Sequence, residues 1–439
     1  MRKGYILLIF VFAVLVTTIV ITRKPSAPKI KLLDRNSTIS NSSEWLNTKE
    51  AIETLEDNIR RNPDHIDSKL KLALGYMQEA RVTGNHGYYD ALAFQLINEV
   101  LNKDSENFEA LSAKATLQAT AHQFADALET SNKVIKINPH NAYIYGILCD
   151  ANVELGNYEE AIKAADKMVS IRPDNRSYSR ISYLREIFGD YEGAKAAMTL
   201  AMNSGISGFE PTEWARVYLG NLYQLTGDSV KADRLYRQAL INRNQYAPAL
   251  AGLGKLAKER KDYKTGIVFY KKAAKAQDDY FFQQELGELY ALNNQNTESQ
   301  EAFKIAQDML INHQHPTSAE NGIGHNIDRE LAQLFITMNE YDLAYNSATA
   351  EYIRRPNNID VNETMAWACY HKKMYPEAQY YVLKAMNTGS KNAALHYKAG
   401  LIVQKNNHPL MAQSYFNSAI KINPNIYLKE RAPALAEKK

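Results

Sequence analysis

Small residues recur along the chain at a fixed spacing, and apolar positions follow them at helical intervals. Ala127 and Ala161, and again Ala344, Ala378 and Ala412, each lie 34 residues from their neighbour. Another small residue stands twelve residues before each of these alanines. Two small residues at matched positions let two helix backbones approach closely. The pattern therefore predicts repeated pairs of packed helices.

Larger apolar residues and prolines complete each predicted pair. Tyr236, Tyr270 and Phe416 come four residues after the small residue, on the same helix face because four residues make about one turn. Pro139 and Pro173 stand twelve residues after the alanine, where a proline ends a helix. One helix pair cannot bury its apolar face alone, so the pairs are expected to stack on one another.

Two segments, LGNYEEAIKAADKMVSIRPDN and GLIVQKNNHPLMAQSYFNSAIKINPN, contain the turn, the small residue and the closing proline in one order. On these segments the chain resembles the tetratricopeptide repeat family over residues 48–426. The resemblance implies an all-α fold, a right-handed α-solenoid of stacked helix-turn-helix repeats, with about ten repeats after one leading half-repeat. Residues 427–439 are predicted to form a short charged capping helix.

The resemblance also implies where a partner would bind. In this family the first helix of each repeat lines a concave groove through its second, fifth, ninth and twelfth positions. Aromatic and arginine side chains on such a surface suit the binding of a protein or a peptide. The candidate groove residues are Tyr143, Arg176, Tyr183, Trp214, Asn221, Lys255, Lys258, Phe281, Arg329, Trp367, Tyr370 and Tyr397.

These residue types also have a plainer interpretation. Aromatic residues on solenoid helices more often pack between helix pairs, and charged residues on a helix face are more often solvated. Trp214 and Trp367 are the favoured contacts, and the basic candidates could clamp an acidic peptide. Binding of chaperone tails is disfavoured, because Val217 stands where the carboxylate clamp of such family members has a lysine.

The N-terminal part of the chain has a different pattern. Residues 4–22 are uncharged and strongly apolar, with basic residues on both sides, which predicts a transmembrane signal-anchor over residues 1–24. A cleaved signal peptide is the alternative interpretation. Residues 25–47 contain prolines and an NSTISNSS run and are predicted to form a flexible stalk. The basic amino end favours an extracytoplasmic, periplasmic location for the rest of the chain.

Charge and cysteine content narrow the classes of function. The first 31 residues hold six of the 52 basic residues and no acid, so the remainder carries 46 basic against 49 acidic residues. A nucleic-acid binder needs a basic surplus, which this remainder lacks, so no nucleic-acid partner is expected. Cys149 and Cys369 belong to well separated repeats, and no disulfide framework is expected.

Candidate chemistry is sparse. The sequence has no H-E-x-x-H, G-x-S-x-G or C-x-x-C motif, so it predicts neither an enzyme nor a cofactor. One inserted loop, residues 310–325, contains His313, His315, Glu320 and His325, which leaves a metal-dependent enzyme as a minor alternative while no metal site is expected. A structural subunit of an envelope complex, bound through its convex face or its ends, is the second hypothesis beside the scaffold.

Overall fold

The computed structural model describes residues 32–33, 35, 43–314 and 323–425, and the regular secondary structure in these residues is entirely helical. The all-α solenoid architecture is therefore confirmed. In chain order the helices are α1 (Ser43–Arg61), α2 (Ile66–Thr83), α3 (His86–Lys103), α4 (Phe108–Thr120), α5 (Phe124–Ile137), α6 (Ala142–Leu155), α7 (Tyr158–Ile171), α8 (Asn175–Ile187), α9 (Tyr191–Asn203), α10 (Glu210–Leu225), α11 (Ser229–Asn242), α12 (Ala247–Glu259), α13 (Tyr263–Ala276), α14 (Tyr280–Leu292), α15 (Asn296–Gln314), α16 (Asp328–Thr337), α17 (Tyr341–Arg354), α18 (Ile359–His371), α19 (Tyr375–Ala385), α20 (Ala393–Lys405) and α21 (Pro409–Ile422).

Helices α2 to α21 pair in sequence, so that α2 and α3 form hairpin 1 and α20 and α21 form hairpin 10. Asparagine or aspartate often stands just before the first helix of a hairpin. Asn107, Asn141 and Asp174 each accept a hydrogen bond there from a backbone N–H of the first turn, which satisfies a group that the helix itself leaves unpaired. These short polar side chains explain why the linkers between hairpins end where they do.

The small residues and the aromatic residues of the repeat meet inside each hairpin. A Cβ atom added to Gly220 would lie 2.6 Å from the ring of Tyr236, and one added to Gly254 would lie 2.7 Å from the ring of Tyr270. Both rings are fully buried. The predicted packing is thus confirmed: the small residue on the first helix makes room for the aromatic ring on the second helix.

The hairpins coil into a superhelix whose successive turns touch. Hairpin 1 contacts the linker before hairpin 7, since the N–H of Asp278 donates to the carbonyl of Thr83 at 3.2 Å. Hairpin 3 meets the start of hairpin 9 in a similar way, since the N–H of Ile359, the first residue of α18, donates to the hydroxyl of Tyr158, 201 residues away, at 2.9 Å. Six hairpins therefore complete one superhelical turn. We call this line of contacts the seam.

The seam also includes the turns of hairpins 2, 4 and 5. Hairpin 2 contributes a bond of 2.9 Å between His122 Nδ1 and the Asn326 carbonyl, and hairpin 4 accepts one of 2.6 Å from Thr388 Oγ1 at the Ile187 carbonyl. At hairpin 5 the side-chain amide of Asn423 donates to a backbone carbonyl of α10 at 3.1 Å. The Cys149 and Cys369 repeats, which sequence spacing separates widely, are consequently neighbours across the seam, and both thiols are free and buried.

The ends of the chain differ in part from the sequence-based expectation. Within the predicted stalk, α1 already begins at Ser43, and Arg35 forms a buried ion pair of 2.6 Å with Glu79 on α2. Leu33 packs against the first hairpin and its N–H donates to the hydroxyl of Tyr89 at 3.1 Å. A buried glutamate needs a cationic partner, which ties this segment to hairpin 1. The predicted anchor (1–24) and capping helix (427–439) lie outside the described residues, within which no helix is long and apolar enough to cross a membrane.

Candidate functional site: the inner cavities

Three of the cavities lie inside the superhelix and are contiguous. Their volumes are about 610, 450 and 380 Å³, and Gln277, in the linker between hairpins 6 and 7, lines all three. His86 lines the two larger ones, and Asp279 lines the largest and the smallest. We name them the acidic cavity (610 Å³), the Trp214 cavity (450 Å³) and the Phe281 cavity (380 Å³), and together the central cavity.

Five of the predicted groove residues line the central cavity. Tyr143 lies in the acidic cavity, Trp214 in the cavity that bears its name, and Asn221, Lys255 and Phe281 in the third. The three aromatic side chains are 37%, 39% and 40% exposed, respectively. The structure thus brings together, around one interior space, residues that the sequence places on four different hairpins.

Several charged candidates are already engaged by neighbouring groups. Lys258 Nζ lies 2.9 Å from Glu285 and 2.8 Å from Glu288, and its side chain is largely buried. The Arg176 guanidinium lies over the ring of Tyr143, 5.5 Å from its centre. These basic groups are therefore less available to a partner carboxylate than the sequence suggested.

Arg329 and Tyr183 are half-buried and lie near the same two carboxylates, Asp360 and Glu154, which belong to different superhelical turns. Arg329 Nη2 is 3.5 Å from Asp360, and this carboxylate together with Glu330 raises the pKa of the guanidinium against the opposing effect of burial. Burial raises the pKa of the Tyr183 hydroxyl well above its usual value. Both residues are partly exposed to solvent, so solvent screens their interactions in part.

Tyr397 does not belong to a binding surface. The prediction placed it on the groove, but its side chain is 3% exposed and its ring lies 5.3 Å from that of Phe416 in the core of hairpin 10. Its position in the first helix is that of a packing residue, because Gly400 on the same helix leaves space for the Phe416 ring beside it. A partner cannot reach it without unpacking the hairpin.

Trp367 and Tyr370 form a separate aromatic stack. Their rings are nearly parallel with centres 4.7 Å apart, and Lys398 Nζ lies 5.4 Å from the centre of the Trp367 ring. Lys398 also forms an ion pair of 2.7 Å with Glu363. Tyr370 and Lys398 already contact the Trp367 ring, so only part of that ring is available to a partner.

Sequence reasoning missed the acidic and histidine side chains of the interior. Asp278 and Asp279 come from a linker, and Glu330 from the first turn of α16, so the groove positions of the family do not predict them. His86 Nδ1 lies 2.8 Å from Asp90, which also lies 3.7 Å from His325. Only the three-dimensional contact across the seam shows that His86 of hairpin 1 lines the same cavity as Asp279 and Glu330.

The histidine loop gives no support for a metal site. His315 and Glu320 lie outside the described residues, as does the side chain of His313. In the part of the chain that the structure describes, no cluster of three or more histidine, cysteine or acidic residues is arranged to hold a metal ion. His325 is instead part of the seam, where it packs beside His86 with ring centres 6.3 Å apart.

Comparison with known proteins points to one repeat family. Residues 118–182 match the model of the tetratricopeptide repeat family, a stretch that runs from the end of α4 into α8. A rice protein, Protein SGT1 homolog, is 31% identical over 102 residues, which are 23% of this chain and 28% of that protein. A barley protein, a probable UDP-N-acetylglucosamine–peptide N-acetylglucosaminyltransferase SPINDLY, is 25% identical over 182 residues, or 42% of this chain and 16% of that protein. The chain thus spans less than a third of either curated relative.

A solved structure of a tetratricopeptide repeat protein from Parabacteroides merdae ATCC 43184 is also similar. It shares 16% sequence identity with a TM-score of 0.44, over 56% of this chain and 95% of that protein.

Proposed function

We propose that this chain, which carries tetratricopeptide repeats, is an interaction scaffold that holds an extended polypeptide segment in its central cavity. Proteins of this repeat type generally mediate protein–protein interaction. The observation that carries the proposal is the convergence of Tyr143, Trp214 and Phe281, each more than a third exposed, on one contiguous interior space. Exposed aromatic side chains that line a concavity offer large contact area at low cost in conformational entropy.

The closed seam restricts what can enter. In an open solenoid a partner reaches the inner surface from the side, between successive superhelical turns. Here the hairpin turns and the linkers are joined by hydrogen bonds such as those of Asp278 and Ile359. An extended chain advances about 3.3 Å per residue and can pass through an open end, whereas a folded domain is too large for cavities of about 380 to 610 Å³. The partner is therefore proposed to be a linear segment or a chain terminus.

A photo-crosslinking amino acid placed at one position at a time tests this proposal in cells. Trp214 reports on the interior, and Ile241, which is 76% exposed on the second helix of hairpin 5, is the matched control. We expect a discrete polypeptide adduct from Trp214 and none from Ile241. Adducts from Ile241 alone would overturn the scaffold proposal.

The convex face provides the second candidate function, that of a structural subunit of a cell-envelope complex. Large apolar side chains are exposed there, with Ile353 and Leu410 even more open to solvent than the interior aromatics. Exposed apolar groups on second helices are the contacts that an assembly would cover. The photo-crosslinking experiment separates the two functions, because a structural subunit requires adducts from positions on the convex face such as Ile241.

Membrane attachment through residues 4–22 is part of the proposal and rests on their composition, since these residues lie outside the described ones. We expect the full chain to stay with membranes after alkaline carbonate extraction and a variant without residues 1–24 to be released. External protease then tests the periplasmic location. We expect the part of the chain after the anchor to be cleaved in cells whose outer membrane alone has been made permeable. Release of the full chain by carbonate would refute the anchor.

The proposal assigns binding and no catalysis to this chain. The barley relative is named as a probable transferase, but the match includes 16% of that protein. We therefore propose a role that the shared repeats alone can perform.

A further inference from the structure

We infer that the acidic cavity binds lysine or arginine side chains, so that the segment held by the scaffold is basic. This inference rests on the proposed function and adds the chemical class of the partner. The basic groove candidates of the sequence had instead indicated an acidic peptide as the partner.

Carboxylates outnumber fixed cations on the walls of the acidic cavity. The acidic residues that line it are Asp150, Glu154, Asp278, Asp279 and Glu330, whereas Arg180 is the one lysine or arginine among the lining residues. His86, His122 and His325 also line it, and histidine is largely neutral near pH 7 unless a neighbour stabilises its charge. The interior surface therefore carries a negative excess.

Two of the carboxylates form hydrogen-bonded ion pairs within the protein, whereas Glu330 has Arg329 only at the longer distance of 3.8 Å. Asp150 forms a bidentate pair with Arg180, at 2.9 Å to Nε and 2.6 Å to Nη2. Glu154 pairs across the seam with Arg355. Both pairs are satisfied, so neither carboxylate requires a further cation. The remaining negative charge belongs to the other three acidic residues.

Glu330 presents a buried oxygen that lacks a hydrogen bond. Its side chain is 9% exposed, it lines the acidic cavity, and its Oε2 atom accepts no hydrogen bond from the described residues. The nearest cationic atoms are Arg329 Nη1, 3.8 Å from Oε1, and His122 Nδ1, 3.9 Å from Oε2. A carboxylate oxygen that is removed from water without a donor is costly. An ammonium or guanidinium group entering the cavity would supply the donor.

Asp278 and Asp279 place two further carboxylates on the same cavity. One oxygen of Asp279 accepts the N–H of Phe281 at 2.9 Å, and no lysine or arginine of the described chain forms an ion pair with either residue. Asp278 is exposed and Asp279 is half-buried. Burial raises the pKa of the Asp279 carboxyl group, although the N–H of Phe281 and the nearby His86 act against that rise. Removing a charged carboxylate from water is costly. A cation that binds nearby would relieve that cost.

The shape and the walls favour a side chain over a metal ion. Among the described residues no cluster has the arrangement of a metal site, whereas Tyr143, Phe124 and Ile147 provide an apolar wall beside the carboxylates. Lysine and arginine bury their aliphatic stems against such walls while the charged head reaches a polar partner. The cavity volume of about 610 Å³ also exceeds what one ion would occupy.

Fluorescence anisotropy with the full-length protein in detergent tests the inference, with labelled octalysine as the probe and octaglutamate as its charge-reversed counterpart. The test variant is Glu330→Gln with Asp278→Asn. The control, Glu129→Gln with Glu192→Gln, removes the same charge from exposed positions on second helices. We expect octalysine to bind the intact protein and the control equally and the test variant at least about tenfold more weakly. Octaglutamate should not bind.

A second readout does not depend on the folding of the test variant. In the otherwise unchanged chain, octalysine should form photo-adducts from a crosslinking amino acid at Tyr143 and not from one at Ile241. Equal binding to the intact protein and the test variant, or binding of octaglutamate, would overturn the inference. If spermine binds as tightly as octalysine, the ligand of the acidic cavity is a free polyamine and the inference of a basic polypeptide segment is wrong. If Trp214 yields a cellular adduct while octalysine fails, the scaffold proposal stands and only the charge assignment falls.

Discussion

The glycines at the hairpin turns of the first superhelical turn lie against the backbone of the second. Gly156 has φ +80°, and a Cβ atom there would lie 2.5 Å from the backbone of Asn357. The corresponding glycines of hairpins 1, 4 and 5 also lie against seam residues. In hairpins 6 to 10 the same left-handed position is held by Lys261, Asn294, Asn339, Lys373 and Asn407. In hairpin 2 the position is held by His122, which itself bonds to Asn326 across the seam. The backbone conformation alone tolerates asparagine, so the approach of the next turn supplies the additional reason for glycine in hairpins 1, 3, 4 and 5.

Gly156→Ala and Gly389→Ala together separate backbone strain from the close approach. Both glycines have a positive φ, but a Cβ atom on Gly389 would meet nothing within 4 Å. We expect Gly389→Ala to lower the free energy of unfolding by about 1 kcal/mol, and Gly156→Ala to cost at least about 2 kcal/mol because the seam must also shift. Urea denaturation measures both changes. Equal losses would mean that the seam does not constrain the hairpin turn.

Burial makes the two cysteines unreactive. It raises the pKa of the Cys149 thiol and of the Cys369 thiol from 9.0 to about 12. At pH 8 each thiol then holds about a thousandfold less thiolate than a free cysteine, and the thiolate is the reactive form. We expect no rapid reaction of the native protein with Ellman's reagent and two equivalents after denaturation. Ser170→Cys, at an exposed position of α7, is the positive control and should add one fast equivalent.

At the scale of the helical elements, stability comes from two kinds of contact. Within a hairpin, a ring such as that of Tyr236 fills the space beside a glycine of the partner helix. Between superhelical turns, polar groups of the linkers bond to the hairpin turns, and Arg355 joins Glu154 across the seam while it also pairs with Glu351. Arg355 is buried, so this network is poorly screened by solvent.

Arg355→Met tests the contribution of this seam network, and its neighbour Arg354 provides the control. Arg354 pairs with Glu351 and Asp328 and does not reach hairpin 3. We expect Arg355→Met to lower the free energy of unfolding by about 3 kcal/mol, because it removes a cation from the buried carboxylate of Glu351 and the ion-pair partner of Glu154 across the seam. Arg354→Met should cost at most about 1 kcal/mol. Small-angle scattering should detect an increased radius of gyration in Arg355→Met alone. An unchanged radius would show that this network does not hold the superhelical turns together.

At the scale of the whole molecule, the seam changes how the repeats cooperate. An open solenoid is stabilised by contacts between neighbouring repeats, so its stability is nearly a sum of local terms. Here hairpin 3 also contacts hairpin 9, and hairpin 2 contacts the linker before hairpin 8. Separated parts of the chain therefore stabilise one another, and the interior aromatic and acidic groups are held around one enclosed space.

Hydrogen exchange tests the closed superhelix in solution. Asp278 and Asn326 lie in linkers and Ile359 is the first residue of α18, where an N–H has no partner within the helix, yet each of the three N–H groups donates across the seam. We expect these amides to exchange slowly, and to lose protection in Arg355→Met most strongly at Ile359, which lies nearest the change. Residues 138–141 form a linker of the first superhelical turn and should exchange quickly in both proteins. Rapid exchange at all three seam amides would show that the turns separate freely.

The repeat architecture could be read from the sequence because its determinants lie close together along the chain. The 34-residue spacing of Ala127 and Ala161, the aromatic residue that follows and the closing prolines all act within one hairpin or between neighbours. The same local logic located Tyr143, Trp214 and Phe281 on an accessible inner face. It failed at Tyr397, since one helical position can serve either packing or binding, and neighbouring side chains decide between them.

The tertiary structure alone decided how the superhelix closes and which charges meet inside it. Closure depends on a small rotation at each hairpin that accumulates over about 200 residues, and a repeat pattern does not specify that rotation. The left-handed backbone conformation at a hairpin turn is by itself a sufficient reason for glycine. Gly156 therefore did not predict the contact with Asn357. Asp150 and Glu330 share a cavity because turns far apart in sequence are stacked. The sequence by itself determined the repeating unit, whereas the packing of distant units determined the interior surface that a partner would meet.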